Sequence, residues 1–432
     1  MSVTAWLAVV VFAGAYVLIA TEKIHRVKVA LGGAVIMLLI GATDADKAFF
    51  SPEAGIDWNV IFLLLGMMLI VGVLRRTGIF EYIAIWAAKR AKGEPFRVMV
   101  ILVVVTAVAS AALDNVTTVL LIAPVTFLVC DRLGVPPIPF LIAEALASNI
   151  GGTATLVGDP PNIIIASRAG LTYGDFLVHL APIVIVLMVV FIGLCRVMFR
   201  SAFTYDPARA AQVMALNERE AIRDRRLLVV SLAVLTLVTV AFVLHSVLHL
   251  EPSIVALVGG LVLLALSRLD AEDVAKDVEW PTLVFFAGLF VMVGALVNTG
   301  AIDQVATAAA GAAEGRLPEA SMGLLWGSAV LSALVDNIPY VATMSPVVAE
   351  VIEAAGGGEQ ARSLWWSLAL GADLGGNATA VGASANVVVL GLAEKAGHRI
   401  TFWGFTKYGL VTAVVTLAVC TPYVLLRYFV LA

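Results

Sequence analysis

Ala147-Ser148-Asn149-Ile150-Gly151-Gly152-Thr153-Ala154-Thr155-Leu156-Val157-Gly158-Asp159-Pro160-Pro161-Asn162 stands in the middle of an otherwise apolar segment, residues 139–168. Such a stretch makes a poor lipid-facing helix. Gly151-Gly152 followed by Thr153-Ala154-Thr155 weakens it, and Pro160 and Pro161 each remove a backbone donor. Unwound backbone at membrane depth is tolerated only inside protein or along a wet cavity. A second stretch has the same design: Asp373-Leu374-Gly375-Gly376-Asn377-Ala378-Thr379-Ala380-Val381-Gly382-Ala383-Ser384-Ala385-Asn386. Gly151-Gly152 and Gly375-Gly376 are 224 residues apart, and so are Asn162 and Asn386. One chain therefore carries two broken helices in register.

The register extends outward from these breaks. Trp58-Asn-Val-Ile-Phe-Leu-Leu-Leu-Gly66, then Thr77-Gly78-Ile79, matches Trp280-Pro-Thr-Leu-Val-Phe-Phe-Ala-Gly288, then Thr299-Gly300-Ala301-Ile302, at a shift of 222. Asp114-Asn115 matches Asp336-Asn337, and Pro124 matches Pro346, at the same shift of 222. Low-complexity apolar sequence would not keep polar pairs aligned from Trp58 to Asn162. The chain is an internal repeat.

Composition names the solvent. Of 432 residues 61% are hydrophobic and 13% charged, against roughly 25% charged in a soluble domain. Mean hydropathy is +1.01. A disordered chain and a water-soluble enzyme are excluded. The formal net charge of −4 gives no hint of a nucleic-acid partner. Cys130, Cys195 and Cys420 lie far apart and match no zinc or redox spacing, so they read as small buried hydrophobes. The first apolar run, 5–20, lacks the basic n-region of a secretory signal and is expected to remain as a helix. Further runs that span the hydrocarbon, or nearly so, lie at 28–42, 58–74, 176–198, 227–245, 253–267, 281–298 and 403–425. Residues 200–226 are the one long polar segment and are expected to be a partly helical cytoplasmic linker. They join a first transmembrane repeat, 1–199, to a second, 227–432.

Basic residues set the orientation. With the 22–28 loop in the cytoplasm and 97–130 and 321–355 read as re-entrant hairpins, 22 of the 27 Lys and Arg residues fall on the cytoplasmic side. Both termini are then expected outside the plasma (inner) membrane. Trp58 starts a helix running inward and Trp280 one running outward. The fold expected is an all-α polytopic membrane protein with about ten transmembrane helices. Two re-entrant hairpins and two broken helices complete an inverted 5+5 repeat. Inverted repeats with broken helices near the midplane are a secondary-transporter architecture, with the site at the repeat interface.

The chemistry is expected in four polar clusters. In the hairpins these are Asp114, Asn115 and Thr117, and Asp336 and Asn337. The first broken helix offers Asn149, Gly151, Gly152, Thr153, Thr155, Asp159 and Asn162. The second offers Asp373, Gly375, Gly376, Asn377, Thr379, Ser384 and Asn386. Gly-rich transmembrane helices often reflect close packing alone. Carboxylates repeated in register weigh against that, because they are costly in membrane and usually functional. Unwinding frees carbonyls and half-helix ends, which suit cations or polar oxyacids. The repeats are not identical. Asn149 corresponds to Asp373, and Asp159 to Ala383, so each broken helix carries one carboxylate at a different place. Asp114, Asp159, Asp336, Asp373 and Glu144 are the proton-coupling candidates. Asp159 before a proline also reads as a cap of the second half-helix. Glu144 sits in an apolar stretch where the second repeat has Leu368. The amphipathic stretch from Phe80 to Lys92 and its mate, Ile302 to Ala313, read as arms lying along the interface. Such arms suit a scaffold against which hairpin and broken helix move, an elevator-type expectation.

Leu113-Asp114-Asn115-Val116-Thr117-Thr118-Val119-Leu120-Leu121-Ile122-Ala123-Pro124 and the 147–162 stretch resemble the ArsB/NhaD branch of the ion transporter superfamily. The sequence looks particularly like arsenical-permease-type proteins related to the mammalian P protein of melanosomes. Leu64-Leu65-Gly66-Met67-Met68 and Gly78-Ile79-Phe80-Glu81-Tyr82 fit too, and the resemblance covers nearly the whole chain. It implies a secondary transporter that extrudes arsenite or antimonite, exchanges sodium for protons, or moves another anion. Dicarboxylate carriers of the superfamily have Ser-Asn-Thr at their hairpin tips, and the best-known arsenite permeases an Asn-Asp-Gly-Ala type tip. Here the tips read Asp114-Asn115-Val116 and Asp336-Asn337-Ile338, which lowers the expectation of citrate or succinate. The resemblance also implies a possible homodimer through the scaffold.

Two functions stay open. Proton-coupled export of arsenite or antimonite is the first, a small inorganic substrate met by hydroxyls, amides and carboxylates. Na⁺/H⁺ antiport, with the carboxylates as hard ligands, is the alternative; four carboxylates near the midplane with no obvious buried Lys or Arg favour a cation. No cofactor is expected beyond the coupling ion, H⁺ or Na⁺. The chain has no Gly-X-X-X-X-Gly-Lys-Ser/Thr motif, so any ATPase subunit would be a separate chain. Neither a Ser-His-Asp nor a metal-ligand constellation points to an enzyme.

Overall fold

Long runs of Val, Leu, Ala and Ile form the helices, and short polar residues bound them. Ser2 accepts from the Ala5 N–H, Asp57 from Asn59 and Val60, Asp224 from Leu227, and Thr401 from Gly404. The computed structural model describes residues 2–431 except Glu22 and Leu216. Among these residues the regular structure is helical, with no strand.

The first repeat comprises α1 (Val3–Ala20), α2 (Arg26–Leu39), α3 (Ala45–Phe50), α4 (Trp58–Arg75) and α5 (Ile79–Arg90). A hairpin follows, α6 (Pro95–Ala112) and α7 (Asn115–Leu133). Then come a broken helix, α8 (Ile138–Gly152) and α9 (Pro160–Ala169), and the last span, α10 (Tyr173–His179) with α11 (Ala181–Met198). The linker contains α12 (Pro207–Met214). The second repeat follows the same order. It has α13 (Arg225–Leu248), α14 (Pro252–Ser267), α15 (Ala271–Ala275), α16 (Trp280–Asn298), the arm α17 (Ala301–Ala313) and the hairpin α18 (Leu317–Leu334) and α19 (Asn337–Ala354). The broken helix α20 (Glu359–Gly375) and α21 (Ser384–Lys395) and the span α22 (Phe402–Leu425) complete it.

Packing is reciprocal between the halves. α4 lies on α14, and its mate α16 lies on α2. At these crossings Gly66 meets the Ala256 backbone and Gly288 meets that of Ala30, so a Cβ on either glycine would collide with its neighbour. Close approach at small residues is how helices associate without a hydrophobic drive between them. α7 packs on α21 and α19 on α9, again as exchanged mates. Gly78 and Gly300, with φ of +81° and +69°, make the same left-handed turn into the two arms.

The chain is an all-α membrane protein built as an inverted 5+5 repeat. Eight described helices are long and apolar enough to cross a bilayer: α1, α4, α6, α7, α11, α13, α16 and the last span, Phe402–Val430. In α4 and α16 72% of the apolar stretch is buried inside the protein, whereas in α11 and α13 28% is. Length does not make α6 and α7 full spans. The tips of α6–α7 and α18–α19 meet the same two helix breaks inside the protein, as re-entrant hairpins do.

The halves differ in the last span. α22 is continuous, but in the first repeat the chain breaks at Leu180, just before Pro182 at the start of α11. The linker is strapped to the first arm. Lys89 pairs with Glu218 at 2.5 Å, Arg223 with Glu81 at 3.0 Å, and the Arg223 N–H donates to the Thr77 carbonyl at 2.9 Å. The hydrogen bond from the Lys89 ammonium holds the half-buried Glu218 carboxyl below its ordinary pKa.

Candidate functional site

Each hairpin is pinned to the broken helix that follows it by the same bonds. Ser110 Oγ donates to the Ser148 carbonyl at 2.7 Å, and Ser332 Oγ to that of Ala372 at 2.6 Å. Thr155 Oγ1 donates to the Ala111 carbonyl and Thr379 Oγ1 to that of Ala333, both at 2.6 Å. Gly151 lies on the Ala107 backbone and Gly375 on that of Ala329, with no room for a Cβ. Gly152 and Gly376 face Gly158 and Gly382 across the two breaks, where an added Cβ would stand 2.5 and 2.9 Å from the facing carbonyl oxygens. Close packing is thus a real task of these four glycines.

The carbonyls freed by unwinding are not left open. Asn162 Nδ2 donates to those of Gly152 and Thr153 at 3.4 Å and of Thr155 at 3.0 Å. Asn386 Nδ2 donates to those of Gly376 and Thr379 at 2.9 Å. The two amides sew each break shut, where the sequence alone led us to expect bare carbonyls.

The tip carboxylates cap helices. Asp114 Oδ1 accepts from the Thr117 N–H at 2.7 Å and starts α7; Asp336 Oδ1 accepts from that of Ile338 at 3.1 Å and starts α19. Asp159 occupies the cap position of α9 and makes no capping bond. Of the two donors a cap side chain meets, Pro161 removes the first, and the second, the Asn162 N–H, bonds the Asp159 carbonyl instead.

The two tips and two breaks meet in one sealed polar centre. Asn115 Nδ2 donates to Asn149 Oδ1 at 3.0 Å and to Asp159 Oδ2 at 2.8 Å. Asn337 Nδ2 reaches Asp159 Oδ1 at 3.4 Å from the other tip. Asn149 Nδ2 donates to Asn377 Oδ1 at 2.9 Å and Asn386 Oδ1 at 3.0 Å, which joins the two repeats. Thr153 Oγ1 donates to the Asn149 carbonyl at 2.8 Å. Thr153 and Asn162 also flank Asp373. Yet both carboxylate oxygens of Asp373 lack a hydrogen-bond partner among the described residues, as do Asn115 Oδ1, Asn162 Oδ1 and Asn377 Nδ2. Asn149, Asn162, Asp373, Asn377 and Asn386 are all 0% exposed. Orphaned polar atoms in such a place need an explanation, and a bound ion or small polar molecule is one.

Two residues fall apart from this centre. Glu144 is buried one and a half turns earlier on α8, where Oε1 accepts from Thr126 Oγ1 at 2.5 Å and Oε2 has no partner among the described residues. Thr117 contributes its backbone to the first tip.

Arg26 is the residue that sequence reasoning did not place here. It begins α2, and its Nη1 lies 3.2 Å from Asp336 Oδ2 and 2.6 Å from Ser384 Oγ. Ser384 Oγ donates to Asp336 Oδ2 at 2.5 Å. A basic residue in a loop between two spans reads as one more positive-inside charge, and no local signal links it to a carboxylate 310 positions away. A cavity of about 300 Å³ opens at this end, lined by His25, Arg26, Asp336 and Ser384.

Comparison with known proteins places the chain among membrane transporters. A family model described as citrate transporter, CitMHS, matches residues 16–371. An uncharacterized transporter of Mycobacterium tuberculosis is 57% identical over 425 residues, 98% of this chain and 99% of its own length. The 46 kDa membrane protein of Mycobacterium leprae is 53% identical, over 99% of each chain. The human P protein is 32% identical over 98% of this chain, which spans 60% of that longer protein. The crystal structure of the YdaH transporter of Alcanivorax borkumensis has the same fold, with a TM-score of 0.63 at 15% identity, over 93% of this chain and 98% of that one.

Proposed function

We propose that this membrane transporter, which belongs to the CitMHS citrate transporter family, exchanges a small hard cation such as Na⁺ for protons at the centre where the two tips meet the two breaks. The protein is a multi-pass transporter and not an enzyme. Asp373 carries the reading. A buried carboxylate without a hydrogen-bond partner must either hold a proton or face a cation. Alternation between those two occupants is cation/proton exchange. The orphan oxygens of Asn115 and Asn162 would complete an oxygen shell, and among the unpartnered amide and carboxylate atoms of this centre in the described residues the acceptors outnumber the donor Asn377 Nδ2. Asp159 is bonded by two amides and would stay in place as a fixed charge. A free tricarboxylate would meet Asp114, Asp159, Asp336 and Asp373 with one arginine to offset them.

Proton-coupled arsenite export is the second reading. The mixture of amides with one orphan donor beside orphan acceptors suits an uncharged trihydroxide. No thiol supports it, because Cys130, Cys195 and Cys420 are buried elsewhere in the helices. Under either reading the protein is placed in the plasma membrane with both termini outside, as the distribution of basic residues implies.

Everted vesicles from a host without its own sodium and arsenite exporters test this. Na⁺ and radiolabelled arsenite are supplied in parallel with the proton gradient imposed and then collapsed. Gradient-dependent Na⁺ movement without arsenite accumulation is expected. Arsenite accumulation without Na⁺ movement would overturn the cation reading in favour of the second.

A further inference from the structure

The second hairpin tip differs from the first in one respect that the repeat does not require: a cation bonded to its carboxylate. Arg26 belongs to α2, which packs on α16 and α1, and its guanidinium lies 5.3 Å from the ring centroid of Phe285 on α16. Asp336 and Ser384 belong to the other body, at the tip of α18–α19 and the first residue of α21. The three groups are bonded to one another at 3.2, 2.6 and 2.5 Å. The Asp336 side chain is 12% exposed and that of Arg26 32%, so the carboxylate is largely withdrawn from water while the guanidinium keeps a wet side. The first repeat has no counterpart. The helix equivalent to α2 begins with Pro252, the residue equivalent to Ser384 is Pro160, and Asp114 has no ion pair among the described residues.

We propose that Arg26 is a positioning residue, a tethered cation that clamps the second hairpin tip against the α2–α16 body and keeps the Arg26–Asp336 cavity open. On the cation reading given above, on which this further step rests, a transported cation that reaches Asp336 competes with the guanidinium. Release of the clamp then accompanies loading. The asymmetry gives the transporter a side at which binding and release of the tip are linked, although the backbone is nearly symmetric.

The groups around the clamp are few. His25 lines the cavity, and Tyr16, Asp159 and Glu279 lie within electrostatic range of Asp336 or Arg26. None of them replaces the guanidinium, since Arg26 is the cation within bonding distance of Asp336.

Val387 lines the same cavity and is 37% exposed. Val387→Cys in the full chain, labelled with a membrane-impermeant maleimide, reports how long the cavity stays open. The three native cysteines are buried and give little background. Arg26→Gln and Asp336→Asn are each expected to slow labelling about fivefold, the low end of a typical coupling between two states. The double variant should be no slower than either single one, and Arg26→Lys should label near the unsubstituted rate. Wild-type rates in Arg26→Gln, or effects that multiply in the double variant, would overturn the clamp. If either glutamine or asparagine variant fails to fold, the other tests the same pair from its opposite side. A second arm compares Na⁺ with choline. Na⁺ should slow labelling with Arg26 present and have no effect in Arg26→Gln. If that arm is flat while the substitutions still act, the cation reading falls and the clamp stands.

Discussion

The two half-sites share a backbone and divide its chemistry. The first repeat supplies Asp159, held by amides from both tips; the second supplies Asp373, with no hydrogen-bond partner among the described residues. The tip of the first repeat ends in Asp114, a helix cap without an ion pair, and that of the second in Asp336, a cap that also holds Arg26. Pinning bonds, glycine crossings and stitched carbonyls recur in both. Symmetry therefore resides in what folds the chain, and asymmetry in what a ligand would meet. A duplicated fold can keep its architecture while each copy is free to carry a different charge.

The sharpest way to break this comparison is to neutralise the two central carboxylates separately. Asp373→Asn should reduce exchange in vesicles to background while leaving thermal stability in detergent unchanged or raised, because it removes a buried charge that lacks a partner. Asp159→Asn should do the reverse, costing about 1–3 kcal/mol by turning an amide donor toward Asn115 and Asn337, with part of the exchange retained. Equal behaviour of the two would dissolve the distinction. Next in size are the tip amides. Asn115→Ala leaves Asn149 and Asp159 short of a donor and should cost about 2 kcal/mol, against about 1 kcal/mol for Asn337→Ala, whose bond is longer. The order of the two unfolding midpoints checks this.

Gly151→Ala and Gly375→Ala sharpen the symmetric side. Both drive a methyl into the backbone of the facing hairpin, so each should cost about 1–3 kcal/mol, and their midpoints should fall together. The smallest effect is expected at Glu144→Leu, which copies Leu368 of the second repeat into the first. It replaces a half-satisfied carboxyl by an apolar group, and stability should change by less than about 1 kcal/mol with exchange preserved. Loss of exchange would instead give Glu144 a part in proton movement.

Much of this was legible in the sequence. The constant shift aligned hairpin with hairpin and break with break, and polar clusters inside apolar runs marked where the chain unwinds. What the pattern left unread has physical causes. Spacing fixes how deep a residue sits but not which helix lies beside it, so the pairing of Arg26 with Asp336 was invisible. Residue type gave amides at Asn162 and Asn386 but not their direction, and they donate to the carbonyls that unwinding exposes. Asp159 looks like a cap because carboxylates before helices usually are; Pro161 takes away one donor and the Asp159 carbonyl takes the other. Glu144 looked as exceptional as the central carboxylates, since burial and mate position alone do not tell the centre from its flank.

The number of spans in each half has a consequence of its own. Five is odd, so a copy joined head to tail enters the bilayer from the opposite side, and the two tips converge without any further device. Parity, more than any single contact, brings them to one level. The linker can gain or lose residues on its own face of the membrane and preserve this. A single extra crossing between the two hairpins would send both of them in from the same face and leave the centre with only one of its two walls.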